Sequence, residues 1–282
     1  MKIRMLAIMM AGLASMGATA ALADTTVTIT ATNSDCKVSA PAELVSNSPS
    51  VAAGEAAIKN QNYALAKANF KPLAEKGDAD GQRAYGNFLL MKCTGLTDQK
   101  SGAEWLQKAA DAGNMVAAAE LGNAYMNAEG VDQDDTKAFA LLTKAAAAGI
   151  PNAQANLGYL YSSGRGVAKD LYQFMVWSIK AGEQGVPIAL ANIAQAYFRG
   201  GALPQDTDQA AYYIFIAMER STPAQKQRYV ANSNNILRAV SQRDAARASD
   251  RAKRWSPGPG SLSEVLRDAG RRRDQAAKGS NN

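Results

Sequence analysis

The chain has 282 residues, a net charge of +6 and no histidine. The missing histidine excludes Ser-His-Asp and Cys-His nucleophilic catalysis and removes the commonest metal ligand. Beyond residue 50 the sequence is rich in alanine and poor in clustered valine and isoleucine, which favours helices over sheets. We therefore expect an all-α protein, and repeated units accommodate this length more readily than one core.

The first 23 residues predict a secretory signal peptide. Lys2 and Arg4 form a basic start, Met5 to Met16 is apolar and uncharged, and Ala21-Leu22-Ala23 has the small-x-small form of a cleavage site. Cleavage after Ala23 predicts a periplasmic or secreted mature protein without a transmembrane segment. The alternative is an uncleaved membrane anchor, which the glycine and hydroxyl residues between positions 12 and 19 disfavour.

Residues 24–52 are predicted to form an extended N-terminal arm. Thr26 to Ala31 alternates Val and Ile with Thr like a strand, but one strand cannot form a sheet alone. The arm contains Cys36, and the second cysteine of the chain is Cys93. Because exported proteins fold in an oxidising compartment, we expect a Cys36–Cys93 disulfide. The alternative is that both thiols stay unpaired.

Four segments of 36 residues follow, and they align without gaps at most positions. The aligned segments are residues 81–116, 117–152, 153–188 and 189–224. Four alignment columns hold small, large apolar, aromatic and helix-ending residues: Gly86, Gly122, Gly158 and Ala194; Leu89, Tyr125, Tyr161 and Tyr197; Trp105, Leu141, Trp177 and Tyr213; Gly77, Gly113, Gly149 and Gly185. A period of this kind predicts an array of stacked units.

Each segment has the pattern of a helical hairpin. In residues 153–188, an apolar stripe at Ala153, Leu157 and Tyr161 predicts the first helix. Two glycines interrupt it, and a second helix is predicted from about Asp170 to Gly185, a residue type that favours helix C-termini. We expect the column of small residues to mark where a neighbouring helix backbone comes close.

The run from Ala153 to Val167, AQANLGYLYSSGRGV, closely resembles a Sel1-like repeat, and residues 117–131 repeat it. This resemblance to a tetratricopeptide-related family implies a right-handed α/α superhelical solenoid of helix-turn-helix repeats over residues 53–224. Residues 53–80 are then a degenerate first unit. The family also implies a scaffold that binds a protein or peptide partner, in regulation or in envelope assembly.

The segment after the repeats is expected to cap them and then to lose structure. Residues 225–255 carry an apolar face and predict capping helices. Residues 256–282 begin with Ser-Pro-Gly-Pro-Gly and predict a basic, flexible tail with at most one short helix near Leu262 to Leu266. From Arg220 onward the chain has 14 basic and 5 acidic residues. The excess predicts either contact with anionic envelope components or a solvated tail, and no nucleic-acid partner.

No sequence motif predicts a cofactor or a metal site. Asp132, Asp134 and Asp135 lack the glycine and terminal glutamate of a calcium loop, so we interpret them as helix-capping and solvent-facing residues. Some secreted Sel1-like proteins are associated with β-lactam binding or hydrolysis, and Ser34 to Lys37 matches Ser-x-x-Lys. The companion Lys-Thr-Gly motif is absent. We therefore expect no enzyme, with a β-lactamase-like protein as the alternative.

The first helices leave one polar flank beside the apolar stripe. Its residues align from unit to unit and predict a ladder on the inner, concave side, suited to a peptide or extended segment. The candidate partner-binding residues are Glu120, Asn123, Asn156, Tyr159, Ser163, Asn192, Gln195 and Arg199. The alternative is that these side chains form only the solvated side of each helix.

Overall fold

The computed structural model describes residues 49–92 and 95–279, and 74% of it is helical. This part of the chain contains fourteen helices and no strand, so the prediction of an all-α fold is confirmed. The helices are α1 (Val51–Lys59), α2 (Tyr63–Glu75), α3 (Ala79–Leu90), α4 (Gln99–Asp111), α5 (Met115–Asn127), α6 (Asp135–Ala147), α7 (Pro151–Ser163), α8 (Leu171–Glu183), α9 (Pro187–Arg199), α10 (Thr207–Glu219), α11 (Pro223–Asn232), α12 (Asn234–Ala239), α13 (Gln242–Lys253) and α14 (Ser263–Gly279).

The predicted signal peptide, residues 24–48 of the predicted arm, Cys36 and Cys93 lie outside the described residues, as do Ser34 and Lys37. Their sequence-based predictions therefore stay predictions. Within the described residues, the chain is already helical at Val51, two residues before the predicted degenerate unit. Helices α1 and α2 pack against each other, and α2 packs against α3.

The second helix of each repeat begins after an aspartate. The four aspartates are 36 residues apart, and each side chain accepts a hydrogen bond from a backbone N–H group in the first turn: Asp98, Asp134, Asp170 and Asp206. These contacts satisfy donors that have no partner inside the helix. The predicted start of the second helix near Asp170 and the capping role of Asp134 are confirmed.

Glycines end the second helices, as the sequence predicted. Gly77, Gly113, Gly149 and Gly185 follow α2, α4, α6 and α8 with φ angles of 84°, 90°, 89° and 80°. This left-handed conformation lacks a steric penalty only for glycine. The 36-residue period therefore fixes both ends of the second helices through local backbone chemistry.

The column of small residues lies where the two helices of one unit come closest. A Cβ atom added to Gly86 would stand 2.8 Å from the carbonyl oxygen of Gly102, and one added to Gly158 would stand 3.2 Å from that of Phe174. The expectation of a close helix backbone is thus confirmed, and the neighbour is the second helix of the same unit. Successive units then pack through the second helix of one and the first helix of the next.

Helices α11, α12 and α13 follow the last repeat and pack against α10. Ile236, Ala248 and Ala252 are buried in the same core cluster as the apolar residues of α9 and α10. The apolar face that the sequence showed in residues 225–255 therefore covers the end of the repeat array. None of the helices in the described ranges is long and apolar enough to cross a membrane.

The prediction of a flexible tail with at most one short helix is wrong for residues 263–279, which form the 17-residue helix α14. Leu262, Val265 and Ala269 are buried, and α14 packs on α8. Gly182 of α8 leaves room for Leu262, because a Cβ atom there would stand 2.7 Å from the Leu262 side chain. The net charge and the Pro-Gly run concealed this apolar stripe of only three residues.

Polar contacts hold the same helix in place. The Tyr197 hydroxyl donates a 2.7 Å hydrogen bond to Asp268, and the backbone N–H of Gly260 donates one of 2.7 Å to Glu183. Burial and the hydrogen bond to Asp268 both raise the pKa of Tyr197, so its hydroxyl stays a donor at neutral pH. The first half of α14 is therefore docked by apolar and polar contacts together.

Replacing Leu262 with Ala should loosen α14 and leave the repeats intact. Removing a buried leucine costs about 2 to 5 kcal/mol, so the amide protons of α14 should exchange at least about tenfold faster, while those of α3 to α10 keep their rates. Hydrogen exchange followed by mass spectrometry measures this difference. Leu266→Ala is the matched control, because Leu266 lies in the same helix and is 41% exposed. Equal effects of both variants would contradict the docking role of Leu262.

Candidate functional site

The first helices of the repeats place the eight predicted partner-binding residues at corresponding positions. Glu120 and Asn123 lie on α5, Asn156, Tyr159 and Ser163 on α7, and Asn192, Gln195 and Arg199 on α9. We call the side of the first helices α3, α5, α7 and α9 that carries these residues the first-helix face. Its two halves differ in the contacts that the side chains make.

Glu120 is engaged inside the chain. Its Oε1 atom lies 3.5 Å from Arg83 of α3, and the Arg83 guanidinium is also 3.9 Å from Glu55 of α1. The Asn87 side chain hydrogen-bonds to Glu120 as well. Glu120 therefore links the first helices of two successive units, and Glu55 extends the link to α1.

The carboxyl group of Glu120 is costly to ionise. Its Oε2 atom is buried and has no hydrogen-bond partner in the described part of the chain, while the whole side chain keeps 26% exposure. Burial raises the pKa of Glu120 to about 7, against the smaller opposing effects of Arg83 and Asn87. Near neutral pH this carboxyl group is thus partly protonated.

Asn123 and Asn156 bind each other across the next pair of units. The Asn156 side-chain nitrogen donates a 2.6 Å hydrogen bond to the Asn123 side-chain oxygen. Helices α5 and α7 are also in direct contact. Like Glu120, these two predicted site residues join neighbouring units.

Tyr159, which lies on α7 three residues after Asn156, is exposed instead. Its side chain is 44% accessible, and its hydroxyl group lies close to Arg165. Arg165 is itself fixed, since it binds both carboxylate oxygens of Asp135 and donates a 2.8 Å hydrogen bond to the Met126 carbonyl oxygen. Asp135 is therefore not merely solvent-facing, and its pKa is lowered mainly by the hydrogen bond from Arg165.

Ser163 turns back to its own helix, where its hydroxyl donates a 2.8 Å hydrogen bond to the Tyr159 carbonyl oxygen. On α9, Asn192 and Gln195 are partly exposed and Arg199 is exposed. No described residue gives these three side chains a hydrogen bond or an ion pair. Their polar groups are consequently directed at solvent.

Ile188 belongs to this surface, although the sequence analysis missed it. It is 47% exposed and lies one helical turn before Asn192, on the face that carries Gln195 and Arg199. The sequence prediction considered only polar residues. The spacing of 4, 7 and 11 residues between Ile188 and the three polar residues of α9 would have indicated that Ile188 lies on the same face. Together, Tyr159, Ile188, Asn192, Gln195 and Arg199 form what we call the α7–α9 patch.

The described residues contain no group of three or more side chains that could hold a metal ion. The patch has one cation, two amides, a phenol and an aliphatic side chain, which can bind another molecule by hydrogen bonds, charge and apolar contact. Its residue types match those of protein interfaces, where tyrosine and arginine dominate the binding energy.

Comparison with known families now places the fold. The model of the Sel1 repeat matches residues 79–114, 116–150, 151–186 and 187–217. These four matches coincide with the hairpins α3–α4, α5–α6, α7–α8 and α9–α10. The chain is a Sel1 repeat protein.

Two solved structures share this Sel1 fold. The first is c5321, a protective antigen present in uropathogenic Escherichia coli strains and displaying an SLR fold, with a TM-score of 0.58 and 25% identity over 75% of this chain and 44% of that chain. The second is a Sel1 repeat protein from Oxalobacter formigenes, with a TM-score of 0.59 and 24% identity over 82% of this chain and 100% of the other. The chain thus spans less than half the length of c5321. No significant match is found among curated proteins.

Sel1 repeat proteins are typically scaffolds for protein–protein interaction. For this Sel1 protein, the contacts divide the first-helix face into two halves. In the inner-bonded half, the side chains of Glu120, Asn123 and Asn156 bind other residues of the chain. The open half is the α7–α9 patch. The eight residues that the sequence treated as one ladder are therefore not equivalent in the structure.

Replacing Glu120 with Gln should change how stability depends on pH. The pKa of Glu120 is about 7 in the folded chain, above the ordinary value of 4.5, so the folded state retains a proton that the unfolded state has released. Relative to Glu120→Gln, the wild type should lose about 2 to 3 kcal/mol of unfolding free energy between pH 4.5 and pH 7.

Denaturant unfolding at a series of pH values measures this difference. Glu104→Gln is the control, because Glu104 is an exposed glutamate of α4. A difference between wild type and Glu120→Gln that stays constant with pH, or that grows in favour of the wild type as pH rises, would contradict the burial of the Glu120 carboxyl group.

Proposed function

We propose that this protein is an exported scaffold that binds a protein or peptide partner through the α7–α9 patch. The observation that carries the proposal is the exposure of Tyr159 and Ile188 on the same face as three polar side chains that have no bonding partner among the described residues. Exposed apolar side chains are individually common. Their position beside unsatisfied amides, on rigid helices, is what favours a binding surface.

Tyr159 is well suited to act as an anchor for a partner. A tyrosine supplies a large contact area at a low cost in side-chain entropy. Arg165 lies at its hydroxyl group, and Asp135 and Met126 hold Arg165 in turn. A side chain that is ordered before binding loses less entropy on binding, so this arrangement supports a role for Tyr159 in recognition.

The inner-bonded half of the face is a poorer candidate. A partner that bound Glu120, Asn123 or Asn156 would compete with the Arg83 ion pair or with the hydrogen bond between the two asparagines. Each lost buried hydrogen bond costs about 1 to 3 kcal/mol. We therefore restrict the proposed site to the α7–α9 patch and assign the other three residues to the stacking of units.

The proposed location is the periplasm or the exterior of the cell. It is supported by the predicted signal peptide with cleavage after Ala23. An enzymatic β-lactamase-like role has less support, because Sel1 repeat proteins are generally non-enzymatic scaffolds and the Lys-Thr-Gly motif that accompanies Ser-x-x-Lys in such enzymes is absent.

A second candidate function is electrostatic contact with anionic envelope components, and one feature of α14 favours it. The buried residues lie in the first half of this helix, whereas all residues from Arg271 to Lys278 are exposed, and Arg273 stacks on the Tyr172 ring of α8. This exposed half contains four basic residues and one acidic residue. Because its first half is packed against the repeats, α14 holds its exposed basic residues in a position to contact an anionic surface.

Replacing Arg271, Arg272 and Arg273 with Gln should reduce any such contact. The expected result is weaker co-sedimentation of the variant with vesicles that contain phosphatidylglycerol at low salt, since each basic residue near an anionic surface contributes about 1 kcal/mol. Replacing Lys67, Lys71 and Lys76 on the α2 side with Gln is the control of equal charge. Equal loss in both variants, or no binding by the wild type, would contradict a specific role of α14.

The scaffold function is tested by photo-crosslinking in cells that produce the protein. A photoreactive phenylalanine derivative at position 195 should give a defined adduct, and the same group at position 171 should not, because Leu171 is 39% exposed but lies on the second helix α8. Tyr159→Ala should weaken the adduct at least about tenfold, as expected for an interface tyrosine, with the circular dichroism unchanged. Adducts of equal strength at both positions, or none at 195, would contradict the proposed site.

A further inference from the structure

The charges around the α7–α9 patch restrict the chemistry of what binds there. Helices α7 and α9 contain no acidic residue, and Arg199 is their single charged side chain. Arg199 is exposed, and no carboxylate of the described residues pairs with it. A carboxylate on a partner would find a counter-charge at Arg199, whereas a basic side chain would be repelled by it.

Acidic side chains elsewhere on the first-helix face do not offset this preference. Glu120 and Glu55 are bound to Arg83, and Glu120 is partly protonated near neutral pH because burial raises its pKa to about 7. Asp80 accepts a hydrogen bond from Asn114. These acids lie on α1, α3 and α5, away from the helices that carry the patch.

The amides of Asn192 and Gln195 indicate the backbone conformation of the occupant. Each amide presents both donors and an acceptor, which match the free N–H and C=O groups of an extended chain. The backbone groups of a helical partner are already bonded to one another. Two neighbouring amides without partners therefore fit an extended segment better than a helix.

Spacing along α9 links the apolar and the charged contact. Ile188 and Arg199 are eleven residues apart on one helix, which corresponds to about 16 Å. An extended chain covers this distance in about five residues, at about 3.3 Å per residue. Asn192 and Gln195 lie between these two ends on the same face.

We infer that the α7–α9 patch binds an extended, acidic peptide segment that places an apolar side chain against Ile188 and a carboxylate on Arg199, about five residues apart. This inference rests on the proposed scaffold function and deepens it by naming the chemistry of the partner. The contact at Arg199 is a charge-assisted hydrogen bond, and it is sensitive to salt because Arg199 is exposed.

Selection of short random peptides displayed on phage, against the full mature chain, tests the inference. Enriched peptides should contain an aspartate or glutamate about five positions from an apolar residue. As synthetic fluorescent probes, they should bind Arg199→Glu about ten- to a hundredfold more weakly than the wild type in fluorescence anisotropy. The matched control is Arg228→Glu, since Arg228 is an exposed arginine of α11, and it should bind like the wild type.

The outcomes separate the inference from the proposal beneath it. Peptides whose binding depends on Tyr159 but which are neutral or basic, and which bind Arg199→Glu and wild type equally, would overturn the acidic segment and leave the scaffold function standing. Failure to enrich any peptide whose binding falls in Tyr159→Ala would overturn both. Binding of a lysine-substituted probe by Arg199→Glu, in preference to the wild type, would support the direct charge contact.

Discussion

The close approach of two helix backbones within each repeat is the constraint on which the rest of the structure depends. Gly86 faces the Gly102 backbone and Gly158 faces the Phe174 backbone, at distances that leave no room for a larger side chain without movement. Because a small residue recurs in this column every 36 residues, with Ala194 in the fourth unit, the hairpins have similar geometry. Similar hairpins stack with their first helices on one side, so a surface formed by side chains of several units becomes possible.

Contacts between units then decide what this surface offers. A Cβ atom on Gly166 would collide with the backbone at Asp135, the first residue of α6, and one on Gly130 with the backbone at Gln99, the first residue of α4. The loop of each unit thus rests on the start of the preceding second helix. This contact brings Arg165 to Asp135 and so holds the guanidinium beside Tyr159. The stacking that stabilises the array also orders the proposed binding residue.

The sequence predicted the fold better than the site, for a physical reason. Caps, helix-ending glycines and close backbone contacts are local or repeat with the period, so alignment columns reveal them. The state of Glu120 depends on Arg83, which belongs to a different unit and lies one position off its column. No column predicts such a contact. Helix α14 was missed for a related reason, because Leu262, directly before its first residue, packs beside Gly182, a glycine where the other repeats have alanine or methionine.

Divergence between the repeats also bears on where binding occurs. The positions equivalent to Ile188 in the earlier units are Asp80, Val116 and Asn152, so an exposed isoleucine is not a requirement of the repeat. The exposed 47% of the Ile188 side chain adds nothing to folding stability, because only buried apolar area contributes to it. Glu120, Asn123 and Asn156 are instead used in an ion pair and a hydrogen bond between units. Residues at the same alignment positions therefore serve either the stacking of units or the binding of a partner. A repeat can bind a partner where its polar side chains do not bond to the neighbouring unit.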